Sequence, residues 1–335
     1  MTLRAVLIRI ATTLITLLGV AIIVFVTIRL APGDPIAMML PPGASQADMD
    51  HLRALYGLDK SIPQQFFIWL GQVMHGDFGT SISLRENVMK VILGRLPATL
   101  ELCLLALLIA LLLGGTLAVV ATRYRGTAAE TGIDIGNGIA LSVPDFLWGL
   151  TFILAFGVAI PIFAISGRVT PTLELPFATG FYLIESVLRL RFDITGDLLN
   201  HMLMPALALA LPLSAVIAHV LKTSLKEVML QDYAVLAQTR GFSDFHVILR
   251  EALKNAAIPA LTLVGVQFTF LIGGTVIVER LFSYEGLGNL AIDAVINRDL
   301  PMIQGIIIVF AVLFVLINLA VDMTYGLLNP RLRHG

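Results

Sequence analysis

The stretch YAVLAQTRGFSDFHVILREALKNAAIP, residues 233–259, predicts two short amphipathic helices that meet at Gly241. Gly241 can take the left-handed conformation that ends a helix, and Ser243 can cap the helix that follows. Apolar residues at the i, i+3, i+4, i+7 spacing give each helix one apolar face: Met229, Tyr233, Leu236 and Ala237 in the first, and Phe245, Ile248, Leu249, Ala252, Leu253 and Ala256 in the second. We therefore predict a rigid helical hairpin, in which any residue other than glycine at position 241 would strain the turn.

The rest of the chain is far more apolar than this hairpin. Of its 335 residues, 57% are hydrophobic and only 13% are charged, whereas soluble domains average about 25% charged residues. The composition indicates an integral membrane protein. The formal net charge of −1 gives no indication of nucleic acid binding, and the single cysteine, Cys103, can form no disulfide within the chain.

Six segments are apolar enough to be membrane helices, which need about 20 apolar residues each: 10–28, 98–121, 139–160, 203–221, 258–278 and 303–323. The first is predicted to be retained, because Arg29 stands where a signal peptide would need a small residue for cleavage. Lys and Arg are dense at both ends of the chain and in the segments 122–131 and 222–256. By the positive-inside rule, both termini are predicted to lie in the cytoplasm.

These spans divide an all-α, multi-pass membrane protein into three regions. Residues 1–30 hold the N-terminus and the first transmembrane helix, residues 31–97 form an outer segment, and residues 98–335 form the core with five transmembrane helices. The core contains an outer insert at 161–200 and the inner loop 222–256 that carries the hairpin. Loops this long are usually functional.

Few residues of the chain suggest a nucleotide-binding, metal-binding or catalytic site. No G-x-x-x-x-G-K-[ST] phosphate loop is present, so we do not expect the chain itself to bind ATP, and its six scattered histidines do not predict a metal site. Glu101 lies one turn inside the second span, from which it could reach the outer interface. The best candidates for a translocation path are Pro144, Asp145 and Ser214, because proline breaks the third span beside an intramembrane acid.

The pattern alone leaves three alternatives open. The hairpin could be a connector lying on the lipid headgroups, although its mixed charges suit a protein groove better than the basic face typical of membrane-surface helices. The chain could be a self-sufficient secondary transporter, which would need several buried charges and inverted repeats. It could also be an intramembrane protease that uses Ser142 or Ser214, although serines in membrane helices more often bond a backbone carbonyl.

The hairpin resembles the cytoplasmic coupling loop, or EAA loop, of ABC importer permeases of the dipeptide, oligopeptide and nickel branch. That loop reads D-Y-x-x-x-A-x-x-x-G-x-[ST] and then A-L-x-N-A-x-x-P, and this chain has Asp232, Tyr233, Ala237, Gly241, Ser243, Ala252, Leu253, Asn255, Ala256 and Pro259 at those places. The chain also contains other motifs that are similar to those of this branch: PGDP at 32, GLDK at 57, GDFGTS at 76, RLPATLEL at 95, FSYEGLG at 282 and NLAVDMTYGLLNPRLR near the end. Glu285 replaces the usual proline of the outer motif.

The resemblance implies a type I ABC importer permease with six transmembrane helices, working in the bacterial inner membrane. Its partners would be a second permease subunit, two cytoplasmic ATPases and an external substrate-binding protein. The chain would be no enzyme and hold no cofactor, since ATP and Mg would be bound by the ATPases. The coupling role would fall to residues of the hairpin: Tyr233, Ala237, Gly241, Phe242, Ser243 and Phe245.

The cargo is less narrowly defined by this resemblance. The words SGRV and TGF in the outer insert are similar to those of peptide permeases, which favours dipeptides or short oligopeptides. Nickel chelates, glutathione or another small solute remain alternatives.

Overall fold

The computed structural model describes residues 3–30, 45, 47 and 59–328. No β-strand occurs among them; their helices are α1 Leu3–Leu30, α2 Ile62–Met74, α3 Val88–Arg123, α4 Ala128–Ser142, α5 Asp145–Phe152, α6 Tyr182–Leu188, α7 Phe192–Val228, α8 Asp232–Thr239, α9 Leu253–Leu281, α10 Leu287–Ile296 and α11 Leu300–Leu328. A π-helical segment, Ile153–Ala159, continues α5. A helical turn, Asp244–His246, and a π-helical segment, Val247–Ala252, lead into α9.

The predicted membrane class agrees with the helices that the structure describes. Four of them are long and apolar enough to cross a membrane: Val88–Arg123, Phe192–Val228, Leu263–Leu281 and Leu300–Val321. α4 and the run from Asp145 to Ala159 qualify together but bend by 103° at the break that holds Pro144, which confirms the predicted break in the third span. The described part of the chain therefore has four spans, or five if the bent pair counts as one, against the six predicted. The apolar part of α1, Ala11–Thr27, is shorter.

The chain forms two compact units, residues 1–94 with 290–316 and residues 95–289 with 317–335. In the first unit, Phe25 of α1 contacts Phe66 and Trp69 of α2, both with ring centroids 5.4 Å apart. The PGDP motif and the first two residues of GLDK lie outside the described residues. The GDFGTS motif continues to Ser83, which together with Ser81 hydrogen-bonds the carboxylate of Asp299.

Asp299 immediately precedes α11, and its buried carboxylate accepts several hydrogen bonds from protein groups. Its Oδ2 accepts from the backbone N–H of Ser83 at 3.0 Å and from the Ser83 hydroxyl at 2.8 Å, while Oδ1 accepts from the N–H of Met302 at 3.2 Å. Burial disfavours the charge of Asp299, but the hydrogen bonds from Ser81 and Ser83 outweigh it and lower its pKa. The ionised carboxylate thus caps α11 and holds the loop that contains Ser81 and Ser83.

The second unit is built around α7, whose buried side chains run along most of its length. α4, α5, α6 and α9 all pack against it. α3 approaches α7 so closely at Gly114 that a methyl group on this residue would lie 2.5 Å from the carbonyl oxygen of Ser214. Small residues allow such close approach of membrane helices.

Replacing Gly114 by alanine is expected to destabilise the protein by about 1–3 kcal/mol, because the added methyl meets backbone rather than a side chain that could rotate away. Gly115→Ala is the matched control, since nothing lies within 4 Å of a Cβ built there. That variant should unfold at the wild-type temperature or above it, because alanine is the better helix former. Thermal unfolding of both variants in the same detergent checks the difference, and equal midpoints would contradict it.

Glu101 does not reach the outer interface as the sequence suggested. Its carboxylate is buried in α3 and pairs with Arg168 of the outer insert, with Nη2 and Oε2 2.8 Å apart, while its other oxygen accepts from the N–H of Ile184 at 3.0 Å. Arg168 also donates to the carbonyl of Gly180 and lies over the ring of Tyr182. The insert supplies the charge partner, so the carboxylate needs no contact with water.

Candidate functional site

The hairpin turn has the geometry that its sequence predicts. Gly241 has φ of +87°, and its N–H donates to the carbonyl of Gln238 at 2.9 Å. The N–H of Phe242 donates to the carbonyl of Ala237 at 3.3 Å. These two bonds form the Schellman motif, which closes a helix through a residue in the left-handed region. The helix stop predicted at Gly241 is confirmed.

Ser243 starts the second arm of the hairpin. Its backbone is extended, and its hydroxyl oxygen accepts from the N–H of His246 at 3.3 Å, which is the bond expected of a helix cap. The ring of Phe242 stacks on the imidazole of His246, with centroids 4.8 Å apart and the planes within 11°. The turn is therefore fixed on both sides of Gly241.

Removing the cap hydroxyl with Ser243→Ala is expected to loosen the start of the second arm by about 1 kcal/mol, the usual cost of losing a serine cap. The chain should stay folded, while hydrogen exchange at the amides of residues 244–247 should speed up by roughly fivefold, which corresponds to that cost. Ser243→Asp is the matched control, because aspartate accepts the same bond. Unchanged exchange in Ser243→Ala would show that the bond contributes nothing.

The hairpin is anchored to the membrane helices by its buried side. Ala234, Ala237 and Val247 form a small core between the two arms. The second arm joins a larger cluster that includes Leu221 and Leu225 of α7 and Ala118 of α3, to which it contributes Ile248, Ala252 and Ala256. A force on the hairpin would therefore reach α3 and α7 through packed side chains.

The apolar face of the hairpin is only partly the one that the sequence indicates. Four large side chains assigned to the apolar face, and Phe242 in the turn, are between 40% and 51% exposed. The four are Tyr233, Leu236, Phe245 and Leu249. Residues 247–252 form a π-helix, with i→i+5 hydrogen bonds, so residues spaced for an α-helix do not stay on one face. Val247 is buried, whereas the side chains of Phe245 and Leu249 are about half exposed to solvent.

Polar bonds tie the two arms to each other. The amide of Asn255 donates to the phenolic oxygen of Tyr233 at 2.9 Å, and the amide of Gln238 donates to Asp244 at 3.2 Å. Arg123, at the end of α3, lies 4.0 Å from the carboxylate of Asp244. These bonds hold the two arms in a fixed arrangement, so the exposed apolar side chains of the hairpin are presented rigidly. A rigid apolar surface suits docking to a groove of a partner protein.

The base of the hairpin carries an ion cluster that the sequence reasoning missed. Lys222 of α7 is buried, and its ammonium lies 2.7 Å from Glu130 and 2.6 Å from Asp134 of α4. Lys226, one turn later, pairs with Glu130 at 2.8 Å. Two acids and two lysines, each pair spaced i, i+4 on a different helix, are the signal that could have predicted it. The cluster clamps the ends of α4 and α7 next to the loop.

The three residues proposed for a translocation path lie in two different parts of the fold: Pro144 and Asp145 at the break between α4 and α5, and Ser214 within α7. Pro144 lies in the break between α4 and α5, and Asp145 starts α5 half-buried, with Oδ1 accepting from the N–H of Phe146 at 2.8 Å. Ser214 is buried within α7 and donates to the carbonyl of Leu211 at 2.7 Å. Among the residues that the structure describes, no group of three or more His, Cys, Asp or Glu could hold a metal ion.

Two family models match the chain in succession. Residues 2–103 match the model described as the N-terminal part of a binding-protein-dependent transport system membrane component, and residues 106–334 match the model described as a binding-protein-dependent transport system inner membrane component. Together they cover nearly the whole sequence.

Curated relatives resemble the chain over almost their entire length. The di/tripeptide transport system permease protein DppB of Pseudomonas aeruginosa is 38% identical over 95% of both chains. The dipeptide transport system permease protein DppB of Escherichia coli K12 is 35% identical, and the oligopeptide transport system permease protein AppB of Bacillus subtilis is 33% identical, each again over 95% of both chains.

A solved structure shares the fold. One chain of the MetNI methionine ABC transporter in an inward-facing conformation matches with a TM-score of 0.56 and 13% sequence identity, over 72% of this chain and 97% of its own. At that identity the match concerns the fold alone.

Proposed function

The chain belongs to the family of binding-protein-dependent transport system inner membrane components, and we propose that it is the permease of an ATP-driven importer of dipeptides or short oligopeptides. The observation that carries the proposal is the identity of 33–38%, over 95% of both chains, with permeases named for peptide transport. A permease of this kind carries cargo across the membrane and is not itself catalytic.

The proposed assembly has four kinds of component. Beside this chain stand a second permease subunit, two cytoplasmic ATPases that bind ATP and Mg, and an external substrate-binding protein. The chain would cross the bacterial inner membrane six times, through α1, α3, the bent pair α4 and α5, α7, α9 and α11, with both termini in the cytoplasm. Residues 31–97 and the insert 161–200 would then face the binding protein, and the loop 222–256 would face the ATPases.

In this assembly the hairpin would be the coupling element. The side chains of Tyr233, Phe242 and Phe245 are large, aromatic and 40–51% exposed, and such groups anchor a helix in a groove of a partner protein. Ala237, Gly241 and Ser243 would hold the turn that presents them. When the ATPases close on ATP, their movement would pass through Ile248 and Ala252 to α7 and α3, whose packing makes one cluster with the second arm.

The test is reconstitution of the chain with its candidate second permease and ATPases in liposomes, with the binding protein added outside. ATP-dependent uptake of a labelled dipeptide, lost when a catalytically dead ATPase is used, is the expected result. Unlabelled oligopeptide, glutathione and a nickel chelate compete in parallel, and competition by peptides alone supports the peptide assignment. Uptake that proceeds without any ATPase would favour a secondary transporter instead.

A further inference from the structure

Asp145 differs from three other acids of the long helices, Glu101 of α3, Glu130 of α4 and Glu279 of α9. Glu101 pairs with Arg168, and Glu130 pairs with Lys222 and Lys226. Glu279 forms no ion pair among the residues that the structure describes, but its carboxylate accepts from the hydroxyl of Thr99 at 2.7 Å and from the N–H groups of Gly288 and Asn289 at 2.8 and 3.1 Å. Each of these carboxylates has its charge balanced or its oxygens satisfied.

The carboxylate of Asp145 has one bond, from the N–H of the next residue, Phe146. Within the described part of the chain, no Lys, Arg or His forms an ion pair with it. A charge at this depth is costly unless it meets an opposite charge. Among the residues that the structure describes, none therefore supplies a cation to the carboxylate of Asp145.

Asp145 lies at the break in the bent pair α4 and α5. It begins the second half of a membrane-crossing pair that bends by 103°, and irregular backbone inside a membrane protein occurs where it is buried in protein or lines a cavity. Its Oδ2 faces α9 at Gly274, where a methyl group would lie only 3.2 Å away. The side chain thus packs against α9.

An aromatic row follows the carboxylate along the same segment. Trp148 stacks on Phe152, and Phe152 contacts Phe156, with centroids 6.1 Å apart in each case. Asp145, Trp148 and Phe152 are spaced i, i+3 and i+7, so they share one face of the helix. A single negative charge beside half-buried rings suits a molecule with one ammonium group and apolar side chains.

We propose that Asp145 contacts the N-terminal ammonium group of the peptide during its passage through the membrane, an inference that rests on the proposed function. The contact is transient, and it makes passage faster for cargo with a free amino group than for cargo of the same shape without one.

The test uses the whole transporter in liposomes and two cargoes: a dipeptide, and its analogue with a hydroxyl in place of the α-amino group. Concentrations are set so that the binding protein is equally loaded with each, as measured by its fluorescence. Wild type should import the ammonium cargo faster. Asp145→Asn should slow it by roughly tenfold or more, as expected for the loss of a charged hydrogen bond, and leave the hydroxyl cargo nearly unchanged.

Two further variants separate charge from packing. Ser142→Ala removes a polar group on the other side of Pro144, whose hydroxyl bonds the carbonyl of Gly138, and should change neither cargo. Gly274→Ala crowds the carboxylate from α9 and should slow the ammonium cargo selectively, by a smaller factor. Size-exclusion profiles establish that each variant still assembles.

Two outcomes would overturn this inference and leave the proposed function standing. Equal slowing of both cargoes in Asp145→Asn would mean a packing role, and equal uptake of both by wild type and variant would mean no contact at all. If wild type imports neither cargo while ATP is hydrolysed, the proposed function fails, and the inference falls with it.

Discussion

Replacing Gly241 by proline reduces ATP-dependent uptake by at least roughly tenfold, and ATPases no longer co-purify with the variant: this is the largest functional effect we expect. Proline fixes φ near about −65°, whereas Gly241 has φ of +87°. The substitution also removes the N–H that donates to the carbonyl of Gln238. The Schellman turn cannot form, so Phe242 and Phe245 lose the positions that the turn gives them.

Gly241→Asn is the matched control, because asparagine enters the left-handed region more readily than other residues with a side chain. A Cβ at this position meets nothing within 4 Å, so only the backbone conformation is tested. The asparagine variant should keep most of the uptake and retain the ATPases, at equal amounts of chain in the membrane. Wild-type uptake in the proline variant would show that the hairpin does not couple the two halves of the transporter.

The largest effect on stability is expected from Arg168→Met. The side chains of Arg168 and Glu101 are only 5% and 1% exposed, and removal of one partner leaves an uncompensated charge. Such losses cost about 3–5 kcal/mol, which we expect to appear as a large fall in the thermal midpoint and in the yield of monodisperse protein. The outer insert should become more accessible to protease at the same time.

Two comparisons test the cause of this effect. The double variant Glu101→Gln with Arg168→Met should be more stable than Arg168→Met alone, because it leaves no buried charge. Arg189→Met is the surface control in the same insert: this arginine also pairs with a glutamate, Glu185, but is 47% exposed. Its loss should cost less than about 1 kcal/mol. A similar loss of stability in Arg168→Met and Arg189→Met would contradict the argument.

The functional hairpin could be predicted because its signals are local. A glycine that must end a helix and a serine that must cap the next one act within four residues, and the structure shows both. The exposed face could not be predicted in the same way. The π-helical segment Val247–Ala252 shifts which side chains point inward, and it forms where the second arm packs on α7, far away in the sequence.

The ion pairs, too, could not be predicted from the sequence alone. Lys222 and Glu130 are 92 residues apart, and Glu101 and Arg168 are 67 apart. The i, i+4 spacing of the lysines and of the acids indicates a charged face on each of two helices, but only packing decides that these faces meet. Glu101 was expected near the outer interface, because its sequence neighbours give only its depth along one helix. The partner comes from the outer insert, whose path over that helix is a matter of tertiary packing.

The sequence by itself determined the membrane class, the break at Pro144 and the turn at Gly241, because hydropathy and backbone preference are properties of short segments. Only the tertiary structure decided which charges meet, which apolar residues of the hairpin stay exposed, and that Asp145 faces Gly274 without a cation from the part of the chain that the structure describes. The physical reason is that burial and charge pairing depend on distances between residues far apart in the chain, and those distances are set when the helices pack.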